Sequence, residues 1–362
     1  MIPTGSRGDG GRPQAPIVIQ VFAQSDVGRT REHNEDSFIV VNVSEGEPLQ
    51  FERLVEQPAD PSGTVFMVAD GMGGAAAGEV ASATAVDVVR KHLQKLAELK
   101  PPTPQDLATE LARAAEKANA AIFQQAATRP ELRGMGTTAT IAALLNDTLY
   151  IAQVGDSRAY LIRSGTATQL TKDQSLMQKL IEAGELTEEE ALLSERRNII
   201  LQALGPEASV KVDVTMQRLR RGDVLLLCSD GLSGLVRPED MGRIVDEELD
   251  LSLACDRLIA MANDQGGPDN ITVVAARFEG RGLHVARSTD AVGYREFSPD
   301  TPPDEGIVPP EPNRSRDVTQ PWPVLMPPRE DDERKRRGKL YMRIIAAIGL
   351  VIVAIALWRF FW

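Results

Sequence analysis

The sequence predicts an α+β fold of four layers, α-β-β-α, with two mainly antiparallel sheets face to face between helices and one transmembrane helix at the C-terminus. Three observations predict it. Apolar, β-branched runs at 137–145, 148–154, 158–164 and 166–170 are separated by loops so short that they must be antiparallel hairpins. Helical stretches come in pairs instead of alternating with strands, unlike a doubly wound parallel sheet. Residues 340–362 are apolar apart from Arg343 and Arg359.

Each element has its own signal. Residues 17–25, 37–43 and 64–70 read as strands. The alanine-rich stretch 78–99 reads as a helix stopped by Pro101 and Pro102. Thr103 caps a second helix that runs to about residue 127, with Pro104 at its first position and Asp106 completing a capping box. After the hairpin strands comes a mostly helical insert, 174–195, with Thr187 and Glu190 as another capping box. A strand at 223–230, helices at 238–248 and 251–263, and a strand at 270–278 complete the domain.

The chain has 362 residues, 42% hydrophobic and 25% charged, enough to bury a sizeable core; only 4% are aromatic, so that core rests on Val, Leu, Ile and Ala. A net charge of −12 argues against nucleic acid as a partner. Cys228 and Cys255 make no disulfide framework and read as small core residues. Residues 1–16 lack an apolar segment and read as a disordered lead-in rather than a signal peptide. Residues 17–280 form the globular domain. Residues 281–339, with ten prolines between Pro299 and Pro328, read as a disordered tether ending in the basic residues Arg334, Lys335, Arg336, Arg337 and Lys339. The apolar stretch 340–362 is long enough to cross ~30 Å of hydrocarbon. The basic residues before it place residues 1–339 in the cytoplasm, as a single-pass cell-membrane protein.

The chemistry lies in the acids at strand ends. "VFMVADGMGG" (65–74) and "VLLLCSDGLSG" (224–234) each run from apolar residues into Asp-Gly. Asp-Gly is a hairpin signal, but here a helix follows. "VGDSRAY" (154–160) and "GGPDNITVV" (266–274) hold Asp156 and Asp269 at further strand ends, and Glu35–Asp36 open a strand in "RTREHNEDSF" (29–38). If these ends converge, four to six carboxylates share one site, and only protons or hard divalent cations can keep them there. Mg²⁺ or Mn²⁺ fits, with Asp70 as a ligand and Gly71 leaving its carbonyl room to turn inward. Two such ions can hold a hydroxide for in-line attack on phosphorus, and Arg31 is the candidate clamp for the phosphate.

With "MGTTAT", "LTKDQS" and "IILQALG" added in order, these motifs over about residues 20–278 resemble the metal-dependent type 2C serine/threonine protein phosphatases, in a bacterial form. The resemblance implies a central β-sandwich and hydrolysis of phosphoserine and phosphothreonine. It implies that Asp70 bridges two ions, that Gly71 adds its carbonyl, that Asp230 and Asp269 complete one ion, and that Glu35 serves the other with Asp36 close by. Asp156, with Asp230, matches the site of a third, weaker ion. Arg31 matches the phosphate-binding arginine, and 171–200 the mobile flap. Expected partners are phosphoproteins, including serine/threonine kinases and their substrates, and the membrane through the C-terminal helix; a monomer is expected. Two positions depart from the pattern. Met72 stands where many members have a histidine that protonates the leaving group, and Gln174 where the flap often has one. His33, His92 and His284 read as solvated or structural.

Three rivals are weaker. "GMGGAA" (71–76) formally matches a dinucleotide fingerprint, but Asp70 would face the pyrophosphate. A cysteine phosphatase needs Arg six residues after its Cys, where this chain has Gly234 and Met261. The alternative from another class is an inactive pseudophosphatase that binds phosphoproteins at the membrane; the filled ligand positions argue against it.

Overall fold

The computed structural model describes residues 16–73, 77–98, 102–192, 194 and 196–300. Residues 1–15 of the expected lead-in, 301–339 of the expected tether and the expected transmembrane helix 340–362 lie outside the described residues. Among the described residues no helix is long and apolar enough to cross a membrane.

The chain opens with strands β1 (Ile17–Asp26), β2 (Asp36–Asn42), β3 (Val55–Pro58) and β4 (Thr64–Met72). Helices α1 (Ala77–Leu93) and α2 (Pro104–Thr128) follow, joined through a short 3₁₀ turn. Strands β5 (Gly136–Thr137), β6 (Ala139–Leu145), β7 (Thr148–Val154), β8 (Arg158–Arg163) and β9 (Thr166–Gln169) lead to the insert, which carries α3 (Leu176–Glu182) and α4 (Glu188–Leu192). The remainder is β10 (Asp213–Arg218), β11 (Val224–Cys228), α5 (Asp230–Ser233), α6 (Pro238–Glu247), α7 (Leu251–Asp264) and β12 (Ile271–Gly280).

One sheet has the order β3-β1-β12-β11-β8-β9 and the other β10-β7-β6-β4-β2, with β5 added to the end of β4. Every pairing between these strands is antiparallel. The β8–β9 hairpin turns at Ser164 and Gly165, both at positive φ (51° and 74°), which matches the strand twist. Thr103 and Asp106 form the expected reciprocal cap of α2, and Thr187 and Glu190 bond in the same pattern before α4.

Central strands are buried on both faces, so they read as unbroken apolar runs. In β4, Phe66 and Val68 point between the sheets while Val65, Met67 and Ala69 meet α1 and α2. In β11, Leu225 and Leu227 point between the sheets and Leu226 and Cys228 meet α6 and α7. Phe66 and Phe278 close the middle edge to face, 6.2 Å apart.

The structure departs from the sequence reading at three places. Strands β3 and β10 carry no continuous apolar run because both lie at sheet edges, and β3 ends in proline, which only an edge tolerates. Helix α1 stops at Leu93, short of the expected residue 99. The expected tether does not begin at 281: Leu283 and Arg295 are buried, and Phe297 packs edge to face on Tyr150. Residues 281–298 thus form a strap on the domain, held by backbone bonds to the open edge of β10 and by apolar side chains that pack against the two cores.

Candidate metal centre

The sandwich gathers the acids at one end. Asp36, the first residue of β2, is the cross-strand partner of Asp70 in β4. Thr138 fixes the Asp70 backbone: the Asp70 N–H donates to Thr138 Oγ1, and the Thr138 N–H donates to the Asp70 carbonyl, both at 2.9 Å. Thr137 Oγ1 adds a second bond to that carbonyl at 2.9 Å. Thr138 Oγ1 also meets Ser157 Oγ at 2.7 Å, which ties the Asp156 loop to the same frame. Asp230 follows β11 and opens α5.

Asn270 organises the loop that carries Arg31 and Glu35. Its Oδ1 accepts from the Glu35 N–H at 2.8 Å, and its Nδ2 donates to the carbonyls of Val27 (3.0 Å) and His33 (2.9 Å). Asp36 Oδ2 accepts from Ser229 Oγ at 2.8 Å and Thr272 Oγ1 at 2.7 Å. Asn270, Ser229, Thr272 and Thr138 are site residues that the sequence reading passed over. They stand inside the quoted strings "CSDG", "DNIT" and "GTTAT", beside the acids that drew attention.

Asp70, Asp36, Asp230, Asp156 and Asp269 come together. Burial, and then the charges of Asp36, Asp230, Asp156 and Asp269, push the Asp70 carboxyl well above its usual range. Burial pushes Asp36 up to about 7 and Asp156 up to about 8. Asp230 is raised by burial and by Asp269. The neighbouring Asp70 side chain partly offsets that rise.

Glu35 stands slightly apart. Its carboxylate packs on Gly78 at the start of α1, where a Cβ would come within 2.7–2.9 Å of it. Burial raises it and Arg31 opposes the rise. Gly71 has a further reason to be glycine: a Cβ there would lie 2.3 Å from the Gly78 carbonyl and 2.5 Å from that of Glu35. The space beside Gly71 is filled by backbone, and α1 can approach the acids only because two glycines meet.

Arg31 is half exposed and pairs with Asp269 at 2.8 Å. Met72 ends β4 opposite Gly136 and offers no proton. Gln174 is a latch: its Oε1 accepts from the Gly155 N–H at 2.9 Å and its Nε2 donates to Asp213 at 2.8 Å. Both cysteines are buried, and their thiols are pushed far up by that burial, so neither is a nucleophile. β4 runs antiparallel to its neighbours, which excludes a βαβ dinucleotide unit there.

Among the described residues no three His, Cys, Asp or Glu side chains form a ready-made cage for an ion. The donor set nonetheless fits hard cations that retain much of their water and take one or two carboxylates each. Asp36 Oδ1 and Asp156 Oδ1 are buried with no hydrogen-bond partner, and such atoms are costly unless a cation or water meets them.

The profile of the family described as Protein phosphatase 2C matches residues 54–266. The serine/threonine phosphatase stp of Listeria welshimeri is 39% identical over 251 residues, 69% of this chain and 92% of that protein. Among solved structures, the S. agalactiae serine/threonine phosphatase superposes with a TM-score of 0.63 at 30% identity, covering 74% of this chain and all of that one. The catalytic domain of the phosphatase PstP in complex with 2 manganese ions superposes with a TM-score of 0.59 at 36% identity, covering 73% of this chain and 99% of that one. With the sandwich, the acid cluster and these likenesses in agreement, the chain belongs to the protein phosphatase 2C family and is a metal-dependent serine/threonine protein phosphatase.

Proposed function

We propose that Asp70, Asp230, Asp269, Glu35 and Asp36, with the Gly71 carbonyl, hold two divalent ions, Mn²⁺ or Mg²⁺, and that Asp156 with Asp230 serves a third, weaker one. The observation that carries this is the crowd of carboxylates around Asp70, which must take up protons or cations to persist. Ions held there would activate water and neutralise charge on the phosphoryl group. The chain's own residues do the rest. Arg31 presents a planar fork able to engage two phosphate oxygens of the substrate. Thr137, Thr138 and Asn270 fix the acids before substrate arrives, so little reorganisation is left for the reaction. Met72 cannot protonate the leaving alkoxide, and water supplies that proton.

The direct test is phosphate release from a phosphothreonine peptide by the detergent-solubilised chain. Release is expected with Mn²⁺ and is expected to stop with a chelator. Release that ignores chelation removes the metal mechanism.

The proposal extends to location. Residues 340–362 anchor the enzyme as a single-pass membrane protein with its phosphatase domain in the cytoplasm. The Pro-rich stretch acts as a tether that raises the local concentration of substrates at the inner face. Those substrates are phosphoproteins, including serine/threonine kinases and the proteins they phosphorylate. The apolar length of 340–362 and the basic residues before it support this reading. Deleting 340–362 is expected to move the protein from the membrane fraction to the soluble fraction; a deletion variant that still sediments with membranes rules the anchor out.

A further inference from the structure

The strap 281–298 lies beyond the residues matched by the family profile and grips the chain on both sides of the flap 171–200: an incoming arm at Lys172 and an outgoing arm that leads past Leu204 into β10. On the outgoing arm it runs along β10 and the residues after it. The Met216 N–H donates to the Arg295 carbonyl at 3.0 Å, and the Phe297 N–H to the Val214 carbonyl at 2.8 Å. Arg220 holds the Asp290 carboxylate through two nitrogens at 2.8 and 3.1 Å, and the Arg221 N–H reaches the His284 carbonyl at 2.8 Å. On the incoming arm, the Lys172 ammonium lies over the Tyr294 ring, 4.6 Å from its centre, and also pairs with Glu182 of α3 at 3.4 Å. The two arms are themselves joined by Gln174 and Asp213.

The flap so gripped frames the acids. Gln174 bonds Gly155, the neighbour of Asp156. Leu204, at its far end, exchanges both backbone bonds with Thr137, which holds the Asp70 carbonyl. Between these anchors Ile199 and Leu201 stand 42% and 40% exposed, an apolar pair open to a polypeptide substrate.

We propose that the strap is a brace that sets the stance of the flap, and that Tyr294 and Lys172 are positioning residues for selectivity toward polypeptide substrates over small phosphate esters. The inference rests on the phosphatase reading of the acid cluster. A braced flap holds Ile199 and Leu201 in place before the peptide binds, so less ordering is needed on binding. Chemistry at the acids does not depend on that contact.

The test compares the full chain with Tyr294→Ala, Lys172→Ala and Tyr294→Phe. Each is assayed on a phosphothreonine peptide and on p-nitrophenyl phosphate, and for trypsin nicking at Arg196. Either alanine variant is expected to raise KM for the peptide about three- to tenfold, leave kcat on p-nitrophenyl phosphate within about twofold, and speed nicking at least about threefold. Tyr294→Phe keeps the ring and is expected to behave as the parent. Alanine variants that nick at the parental rate, or that lose both substrates in equal proportion, overturn the brace. A parent chain inactive on both substrates would defeat the phosphatase reading instead, while the nicking rates still decide the brace.

Discussion

Asp70→Asn is expected to lower turnover at least ~10³-fold, about 4 kcal/mol of transition-state stabilisation, while leaving the fold intact. The Asp70 carboxyl feels the charges of Asp36, Asp230, Asp156 and Asp269, so a cation held in the cluster is expected to meet it. Asparagine has the same shape and keeps the backbone bonds to Thr137 and Thr138 that set the position. It also removes an acid whose ionisation the crowded site opposes, so the metal-free variant should melt no lower than the parent. Steady-state kinetics with saturating Mn²⁺, beside circular dichroism and a thermal melt, check both halves. A fully active Asp70→Asn enzyme would falsify the site.

The second large effect is on stability. Asp36 and Asp156 are pushed up to about 7 and about 8, and Asp70 and Asp230 are raised in the same sense. An unfolded aspartate releases its proton near 3.9. Between about pH 4 and pH 8 the metal-free folded chain therefore binds more protons than the unfolded chain, and its stability falls as pH rises. Divalent cations replace those protons and reverse the trend. After chelation the Tm is expected to be higher at pH 6 than at pH 8. Mn²⁺ at 100 times its Kd should add ~2.7 kcal/mol, or about 5–10 °C for a domain of this size; at one fixed Mn²⁺ concentration the gain should be larger at pH 8 than at pH 6, where protons compete for the acids. A metal-free Tm that is flat across this range, with no response to Mn²⁺, would show that the acids are not coupled as drawn.

Local signals carried much of the fold. The caps at Thr103 and Thr187, the tight turn at Ser164–Gly165 and the doubly buried runs of β4 and β11 depend on neighbours in the chain and on burial, so residue type and spacing reveal them. Edge elements were harder. β3 and β10 bury too little for a strong apolar pattern, and the strap shares its proline-flanked, irregular sequence with the stretch that follows.

The sequence by itself determined that acids end the apolar runs at Asp70 and Asp230, that Asp156 and Asp269 stand at other strand ends, and that Glu35 and Asp36 open a strand. Only the tertiary structure decided that these meet, because their convergence depends on strand register and on bonds such as Glu35 to Asn270, which join residues 235 positions apart. It also decided what individual residues do there. Gly71 serves the close approach of α1, Gln174 latches the flap, and Arg31 rests on Asp269. Such roles are set by which atoms lie within a few ångströms, a quantity that chain order constrains only for near neighbours.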